Sequence, residues 1–386
     1  MIKFDTEFIS DPFAVYDRLR ETAPVHQVAL PDGSTAWLVT RYADVRAALG
    51  DPRLSLSKTA SKGTGYKGFA LPPALDANLL NLDAPDHTRL RRLVATAFTP
   101  GRIVSLRGTV QAETDRLIDV FEPAGRADLI SVFAAPLPLR VIGDLLGVAV
   151  ADRARFQGWT NDLLAPAQPS DARNAIAGIT GFIVSLIAAK RAAPADDLLS
   201  AMIEARDADD RLSEDELLSL AFLILWAGYE NSVHLIGNGL LALLTDPPSL
   251  PRMRSAPAEG VDELLRYADP NQFAIRRFPL VDVVIGGATI QAGQTVLLGI
   301  ASANRDPARF DSPELLDLGR QDGQHLSFGL GAHYCLGAPL ARLEAEVAIG
   351  TLLRRLPDLA LDTDCPAPRW RPSFRSRGLL ELPVTF

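Results

Sequence analysis

A cysteine in a glycine-rich loop is the residue of this sequence best placed to do chemistry. Cys335 lies within residues 325–346, HLSFGLGAHYCLGAPLARLEAE, directly before an amphipathic helix predicted to begin near Ala338. A thiolate at a helix N-terminus meets partial positive charge and free backbone N–H groups, which lower its pKa and temper its electron donation. Gly329, Gly331 and Gly337 allow unusual dihedral angles and a close approach to a flat macrocycle. The loop therefore predicts a soft thiolate ligand, with Phe328 shielding the sulfur.

Other roles for the thiol are open at this point. An isolated cysteine before a helix is most often a buried structural thiol. A nucleophilic cysteine with His333 as its base is a second reading, although no obvious third residue orients that histidine. A zinc site is the weakest, because Cys365 and the five histidines show no paired ligand spacing.

Two other segments place charged residues at helical spacing. Glu263 and Arg266 stand three apart in VDELLRY, so a helix brings them to one face as an ion pair, which alone is typical of an exposed surface. His87 and Arg91 stand four apart in PDHTRLRRLV. Two adjacent cationic donors suit a carboxylate, and a solvated basic helix is the alternative.

The pattern Phe328-Gly329-x-Gly331-x-His333-x-Cys335-Leu336-Gly337 resembles the heme-binding motif of the cytochrome P450 family, and this motif is highly specific for its length. ASANRDPARF (residues 301–310) and the C-terminal WRPSFRSRGLLELPV resemble the same family, so the resemblance covers essentially the whole chain. It implies a mainly α cytochrome P450 fold with small peripheral β-sheets, formed by residues 1–386 as a single domain. The nearest likeness is to soluble bacterial enzymes that tailor macrolides and other polyketides.

By this resemblance Cys335 is the axial ligand of a heme b iron, and its electron density favours O–O cleavage. Glu263 and Arg266 match a structural Glu-x-x-Arg element that usually has a third partner from the loop before the cysteine. Arg277, not its neighbour Arg276, matches the family's propionate-binding arginine. The implied cofactor-binding residues are His87, Arg91, Ala227, Arg277, His325, Phe328, Gly329, His333, Cys335 and Gly337.

The resemblance implies a monooxygenase that uses O₂ and two electrons to hydroxylate or epoxidise a bulky, mostly apolar secondary metabolite. A steroid, terpenoid or fatty acid substrate, a peroxide-driven oxidation and a catalytically silent heme protein are the alternatives. No flavin or iron–sulfur sequence is visible, so a separate ferredoxin and its NAD(P)H-dependent reductase are implied, with Arg89, Arg92 and Arg342 as candidate docking residues. The substrate walls carried over by position are Leu223, Ala227, Asn271, Phe273, Ala274, Ile275 and Phe374, with contributions from residues 63–80.

The sequence departs from the family where the common pattern is Ala-Gly-x-Glu-Thr-Thr. Glu230 is kept, but Asn231 and Ser232 replace the threonines. These are the candidate catalytic residues, because in the family the acid and the following alcohol line the oxygen pocket and organise water for proton delivery. An asparagine offers an acceptor and a donor, but no hydroxyl in the same place. One hypothesis is that Asn231 with Ser232, or a hydroxyl of the substrate, positions the water. The alternative is that Asn231 only forms a hydrogen bond to a helix carbonyl.

The elements that must position these residues are mostly helices. Apolar residues recur at three- and four-residue spacing over residues 12–21, 86–97, 103–121, 131–146, 151–164 and 171–192. Strand-like runs are Thr35–Val39 and residues 281–285, 295–299 and 379–384. Residues 217–244 predict a helix buried in the protein and not one that spans a membrane, since its polar residues would be unfavourable in hydrocarbon. Residues 306–331 predict a long functional loop.

Composition bounds the class of protein. The 386 residues are 47% hydrophobic and 22% charged, as in a globular protein with a large core. A formal charge of −8 disfavours a nucleic-acid binder. Two cysteines disfavour a disulfide framework and favour a reducing, cytoplasmic compartment. The N-terminus carries acids where a signal peptide would be basic, so we expect a cytoplasmic monomer that is not held by a membrane.

Overall fold

A computed structural model of the chain describes residues 2–62, 71–95, 98–164, 168–209 and 212–386. Helices make up most of this structure. In chain order they are α1 (Thr6–Ser10), α2 (Pro12–Thr22), α3 (Tyr42–Leu49), α4 (Pro73–Asp76), α5 (Asp86–Ala95), α6 (Pro100–Ser105), α7 (Arg107–Phe121), α8 (Pro136–Leu145), α9 (Val150–Leu164), α10 (Pro169–Ala192), α11 (Leu198–Asp209), α12 (Glu214–Thr245), α13 (Leu250–Ser255), α14 (Pro257–Tyr267), α15 (Ile300–Ala303) and α16 (Ala338–Arg355).

The strands are short. They are β1 (Ile2–Lys3), β2 (Val25–Ala29), β3 (Thr35–Val39), β4 (Leu54–Ser55), β5 (Arg126–Asp128), β6 (Phe278–Pro279), β7 (Val283–Ile285), β8 (Ala288–Ile290), β9 (Val296–Leu298), β10 (Ala360–Leu361) and β11 (Pro383–Thr385). The largest sheet has the order β1-β2-β3-β9, with β2 antiparallel to β3 and β3 parallel to β9. The smaller sheets are β10-β11-β5, β4-β6 and β7-β8. The prediction of a mainly α fold with small sheets is confirmed.

The long helix α12 organises the core. It begins at a capping box, in which Ser213 Oγ accepts from the Glu216 N–H at 3.1 Å and Glu216 Oε2 accepts from the Ser213 N–H at 2.8 Å. Residues 217–225 and 232–240 of this helix are buried, and it packs against α4, α8, α14 and α16. Gly228 permits close contact with α8, because a Cβ there would lie 2.8 Å from Ile142 Cδ1. The predicted buried helix over 217–244 is thus confirmed.

Two predicted helices differ from the structure for local reasons. The helix expected over 103–121 is divided at Leu106 into α6 and α7, and Gly108 in the first turn of α7 lowers the helical preference at this junction. The segment 131–146 begins as a π turn, Ile130–Ala134, before α8 starts. Pro136 and Pro138 lack N–H groups, so regular i→i−4 bonding is interrupted there.

Helix α10 buries few of its residues for its length. By length and composition alone, its residues Ser170–Ala192 could cross a membrane, and 22% of its most apolar window is buried. Within the fold, Ala175, Ile179, Ile183 and Ile187 recur every four residues and are buried. Helix α10 packs against α9, α11 and α12, so this stripe is the core-facing side of an ordinary amphipathic helix.

Candidate active site

The predicted cysteine loop is a compact turn that delivers Cys335 to the start of α16. The Cys335 N–H donates to the Phe328 carbonyl at 2.8 Å, which closes the loop upon itself. Gly329 and Gly331 have φ of +70° and +71°, a region in which residues with a side chain are strained. The glycines at these two positions are therefore required by the backbone, in agreement with the sequence motif.

The thiol of Cys335 faces a cavity instead of bulk solvent. The exposed surface of Cys335 borders a cavity of about 310 Å³ that is lined by protein atoms. Burial raises the pKa of the thiol, while the backbone N–H groups of Gly337 and Ala338 and the cation of Arg91 act in the opposite direction. Donors arranged in this way stabilise a thiolate, and a bound metal cation would complete its ionisation.

This space, here called the inner cavity, has mainly apolar walls. α12 supplies one wall and residues 270–275 supply another. In the middle of the otherwise buried α12, residues 226–228 and 230–231 are only half-buried, because the cavity lies beside them. The walls include Leu79, Ile142, Leu223, Ile224, Leu235, Leu265, Phe273, Ile300, Leu336 and Leu340.

Four cationic or basic side chains face one part of the inner cavity. They are His87, Arg91, Arg277 and His333. The rings of His87 and His333 have centroids 3.8 Å apart, and the Nε2 atom of the 2%-exposed His87 has no hydrogen-bond partner among the described residues. Burial and the neighbouring His87 and Arg277 lower the pKa of His333 to about 3, and burial with Arg276 lowers the pKa of Arg277 to about 10. Such a cluster is incomplete without an anion.

These residues fit the heme that the motif predicts. The thiol, the left-handed Gly329 and the orphaned His87 Nε2 all face one cavity, and the cluster of arginines and histidines supplies donors suited to two carboxylates. Arg277 and Arg276 are also distinguished as expected. Arg277 lines the inner cavity, whereas Arg276 donates to Asn81 Oδ1 at 2.6 Å on a different wall.

His325 is placed differently from its prediction. The resemblance implied that it binds the cofactor, but its Nε2 lies 3.3 Å from Asp262 Oδ1 and its Nδ1 accepts from the Ser327 N–H at 3.2 Å. Both ring nitrogens are therefore occupied by the protein, and His325 is not part of the cavity wall formed by the described residues. The correction follows from the position of α14, which the motif alone does not reveal.

Glu263 and Arg266 form a buried ion pair beside the cysteine loop. The Arg266 Nη2 and Nε atoms both lie 2.7 Å from the carboxylate, and Arg266 is 1% exposed. Arg320, from the loop before the cysteine, lies 3.2 Å from Glu263 and is the expected third partner. Arg266 also donates to the carbonyls of Asn304, Pro313 and Leu315, so the pair ties α14 to the long loop.

The three candidate catalytic residues of α12 are divided between two cavities. Asn231 and Ser232 line the inner cavity. Glu230 lines a second cavity of about 190 Å³, here called the outer cavity, and its Oε1 lies 3.3 Å from His234 Nε2. The two cavities are continuous, since both are bounded by Leu80, Ala227, Asn231, Asn271, Phe273, Ala274 and Ile275.

Glu344 is a site residue that sequence reasoning missed. It lies on α16 and lines the inner cavity, and its Oε2 accepts a hydrogen bond from Ser232 Oγ at 2.6 Å. Burial raises its pKa to about 7. One signal was available, because Leu340, Leu343 and Val347 place position 344 on the buried face of α16, where a carboxylate is unusual.

The substrate walls carried over by position are largely where they were expected. Leu223, Ala227, Asn271, Phe273, Ala274 and Ile275 line the inner cavity. Phe374 does not line either cavity and instead stacks on Phe4, with ring centroids 5.5 Å apart. Its neighbours Ser373, Arg375 and Ser376 take the expected place in the outer cavity. Of residues 63–80, positions 63–70 lie outside the described residues, and Leu71, Asp76, Asn78, Leu79 and Leu80 line one or both cavities.

Comparison with known proteins agrees with this site. The family model described as "Cytochrome P450" matches residues 259–369. Cytochrome P450 monooxygenase PikC of Streptomyces venezuelae is 44% identical, over 98% of this chain and 92% of its own length. The 6-deoxyerythronolide B hydroxylase of Saccharopolyspora erythraea is 42% identical over 98% and 96%. The structure of the tirandamycin C-bound P450 monooxygenase TamI matches with a TM-score of 0.93 at 40% identity, covering 100% of both chains.

Members of this family bind heme b, take electrons from NAD(P)H through redox partners and act on small molecules. The residues around Cys335 fit such a cofactor, and the alignment with PikC covers 98% of this chain and 92% of that protein. The chain belongs to the cytochrome P450 family and is a heme-dependent monooxygenase.

Proposed function

We propose that this P450 hydroxylates or epoxidises a bulky, mostly apolar molecule of the polyketide or macrolide type. The observation that carries the proposal is the continuous pair of cavities, whose inner part is apolar and faces Cys335. The names of the relatives lend further support, since 6-deoxyerythronolide B hydroxylase and mycinamicin IV hydroxylase/epoxidase share 42% and 41% identity with the chain.

The heme, when bound, supplies the activation of O₂ that places one oxygen atom on carbon. Cys335 would hold the iron of the cofactor through its sulfur, and Phe328 packs over the loop near Tyr334, with ring centroids 6.2 Å apart. His87, Arg91, Arg277 and His333 are proposed to bind the carboxylates of the cofactor. Arg91 and Arg277 bring cationic charge to these contacts, and the histidines bring ring nitrogens that can donate. Contacts in this buried place are strong, because the alternative is an unpaired buried donor.

Ser232 and Glu344 are proposed to relay the two protons that the reaction consumes, one at a time. The Glu344 pKa of about 7 means that its carboxyl group carries a proton for part of the time near neutral pH. Ser232 Oγ is 2.6 Å from Glu344 Oε2 and also borders the inner cavity. A hydroxyl in this place can pass a proton from the carboxyl group to a water molecule in the cavity. The threonine hydroxyl missing at position 231 is thus compensated one residue later.

Asn231 is proposed to position water or substrate. Among the described residues its carboxamide has no hydrogen-bond partner, and it borders both cavities. This arrangement favours the reading in which the carboxamide serves the cavity over the one in which it bonds a helix carbonyl.

Electrons are proposed to arrive from a ferredoxin that docks beside the cysteine loop. Helix α5 lies against that loop, because Arg91 Nη2 donates to the Tyr334 carbonyl at 2.5 Å. Arg92 on the same helix is exposed, whereas Arg89 is bound to Glu216 and Arg342 to Asp262. Arg92 is therefore the best supported of the three docking candidates.

We also propose that residues 1–386 form one domain and act as a monomer in the cytoplasm.

The test is reconstitution. Heme-loaded protein is combined with a surrogate ferredoxin and its reductase, and macrolactones that shift the heme spectrum on binding are assayed for oxygenated products by mass spectrometry. We expect a product that is 16 Da heavier and depends on NADPH and O₂. Spectral binding without any product would refute the proposed reaction, and product formed equally well with peroxide and no reductase would refute the proposed electron route.

A further inference from the structure

The outer cavity differs from the inner cavity in its charge. Three cationic side chains, Lys58, Arg276 and Arg375, and two carboxylates, Asp76 and Glu230, line it. The formal charge of the described wall is therefore +1. Away from the cofactor cluster, the inner cavity has mainly apolar walls. A molecule that fills both cavities meets apolar surface near Cys335 and a cationic surface at its other end.

Both carboxylates of the outer cavity are already engaged by donors. Asp76 Oδ1 accepts from Lys58 Nζ at 2.6 Å and from Asn81 Nδ2 at 2.9 Å. Glu230 Oε1 lies 3.3 Å from His234 Nε2 and accepts from Ser376 Oγ at 3.4 Å. A ligand that offered a cation or a hydrogen-bond donor would compete with these contacts, whereas a ligand that offered an acceptor would not.

The arginines are held where they can meet such an acceptor. Arg276 is 6% exposed, and it donates to Asn81 Oδ1 at 2.6 Å and to the Leu80 carbonyl at 3.4 Å. Both of these acceptors are neutral groups. Arg375 approaches the cavity from the C-terminal segment, with its Cζ 5.8 Å from the Phe374 ring centroid. A guanidinium presents a planar fork of donors that suits a carboxylate.

We propose that the bulky, mostly apolar substrate carries an anionic end group, such as a carboxylate, which Arg276 and Arg375 recognise in the outer cavity while the apolar part of the molecule fills the inner cavity. This inference rests on the proposed monooxygenase function and adds the polarity of the substrate to it. Asn231 and Asn271, which border both cavities, lie where the apolar and anionic parts of such a molecule would join.

The test compares three probes that share one alkyl chain and differ only in the end group. Dodecanoate, 1-dodecanol and dodecyltrimethylammonium are titrated into the heme-loaded protein at pH 7.5, and Kd is read from the heme spectral shift. We expect dodecanoate to bind about tenfold more tightly than dodecanol, because an opposite charge near a protein surface readily supplies that factor. The ammonium probe should bind most weakly, and added salt should narrow the differences.

Matched variants assign the preference to the arginines. In Arg276→Gln and in Arg375→Gln the preference for dodecanoate over dodecanol should fall about threefold or more, with the Kd of dodecanol unchanged. Arg369→Gln is the control, because it removes the same charge from the C-terminal segment at an exposed ion pair with Glu381, outside the cavity. A holoenzyme spectrum and melting temperature for each variant establish that it is folded.

Several results would overturn the inference. They are equal Kd values for the three probes, tightest binding of the ammonium probe, equal weakening of all probes in the arginine variants, and no spectral shift with any probe. None of these touches the proposed reaction, which is judged by product formation. Conversely, an intact preference for dodecanoate in a protein that oxidises nothing would reject the proposed function alone.

Discussion

Replacing Glu344 by glutamine should stabilise the protein, and the gain should grow as pH rises. Burial raises the pKa of Glu344 from 4.5 to about 7 in the folded chain. Below pH 4.5 the carboxyl group is neutral in the folded and unfolded states, so it has no pH-dependent cost. Between pH 4.5 and 7 the unfolded chain releases the proton while the folded chain retains it. The free energy of unfolding therefore falls as pH rises, with a slope set by the difference in bound protons between the two states.

Above pH 7 the shift of about 2.5 pKa units corresponds to a cost of about 3 kcal/mol. About 1 kcal/mol of this cost is already present at pH 5.5. The substitution Glu344→Gln should therefore raise the free energy of unfolding by about 2 kcal/mol more at pH 8.5 than at pH 5.5. The unfolding entropy expected for a chain of this length converts that difference into a relative rise in Tm of about 2–3 °C.

Scanning calorimetry of the heme-loaded wild type and variant at pH 5.5 and 8.5 measures this difference. Glu346→Gln is the matched control, because Glu346 lies on the same helix but binds Arg107 at the surface, where side-chain exposure is 21%. The control should show no gain that increases with pH. A Glu344→Gln gain that is the same at both pH values, or that is larger at pH 5.5, would refute the reasoning.

Three further changes have directions that the structure sets. Glu263→Gln leaves Arg266 buried without its carboxylate, so we expect a loss of about 3–5 kcal/mol, seen as little soluble heme-loaded protein on purification; normal yield and Tm would contradict this. Arg277→Leu removes a donor proposed for a cofactor carboxylate, so heme should be lost faster to apomyoglobin, and an unchanged rate would argue against the contact. Asn231→Thr should change the product formed per electron consumed, and unchanged coupling would remove any special role of Asn231 in positioning water.

Sequence reasoning was most successful where function depends on neighbours in the chain. The loop around Cys335, the left-handed Gly329 and Gly331, and the pair Glu263 and Arg266 are local patterns, and the structure forms each of them. The buried helix predicted from the apolar composition of residues 217–244 is also formed, as part of α12, which begins at a capping box.

Contacts between distant segments were less accessible. Ser232 and Glu344 are 112 positions apart and meet only because α12 packs on α16. His325 precedes the motif by three residues, yet its ring turns to Asp262 on α14. Phe374 packs against the N-terminal Phe4, so a wall position carried over from the family did not apply. In each case the partner that decides the orientation lies on another element.

The central claim is the bond between Cys335 and a heme iron, and the spectrum of the reduced carbon monoxide complex tests it most directly. We predict that the wild-type protein shows the red-shifted band characteristic of a thiolate ligand. In Cys335→His the band should move to the position of a nitrogen-ligated heme, even if some heme remains bound. A wild-type spectrum without the red-shifted band, or a Cys335→His variant that retains it, would contradict the account.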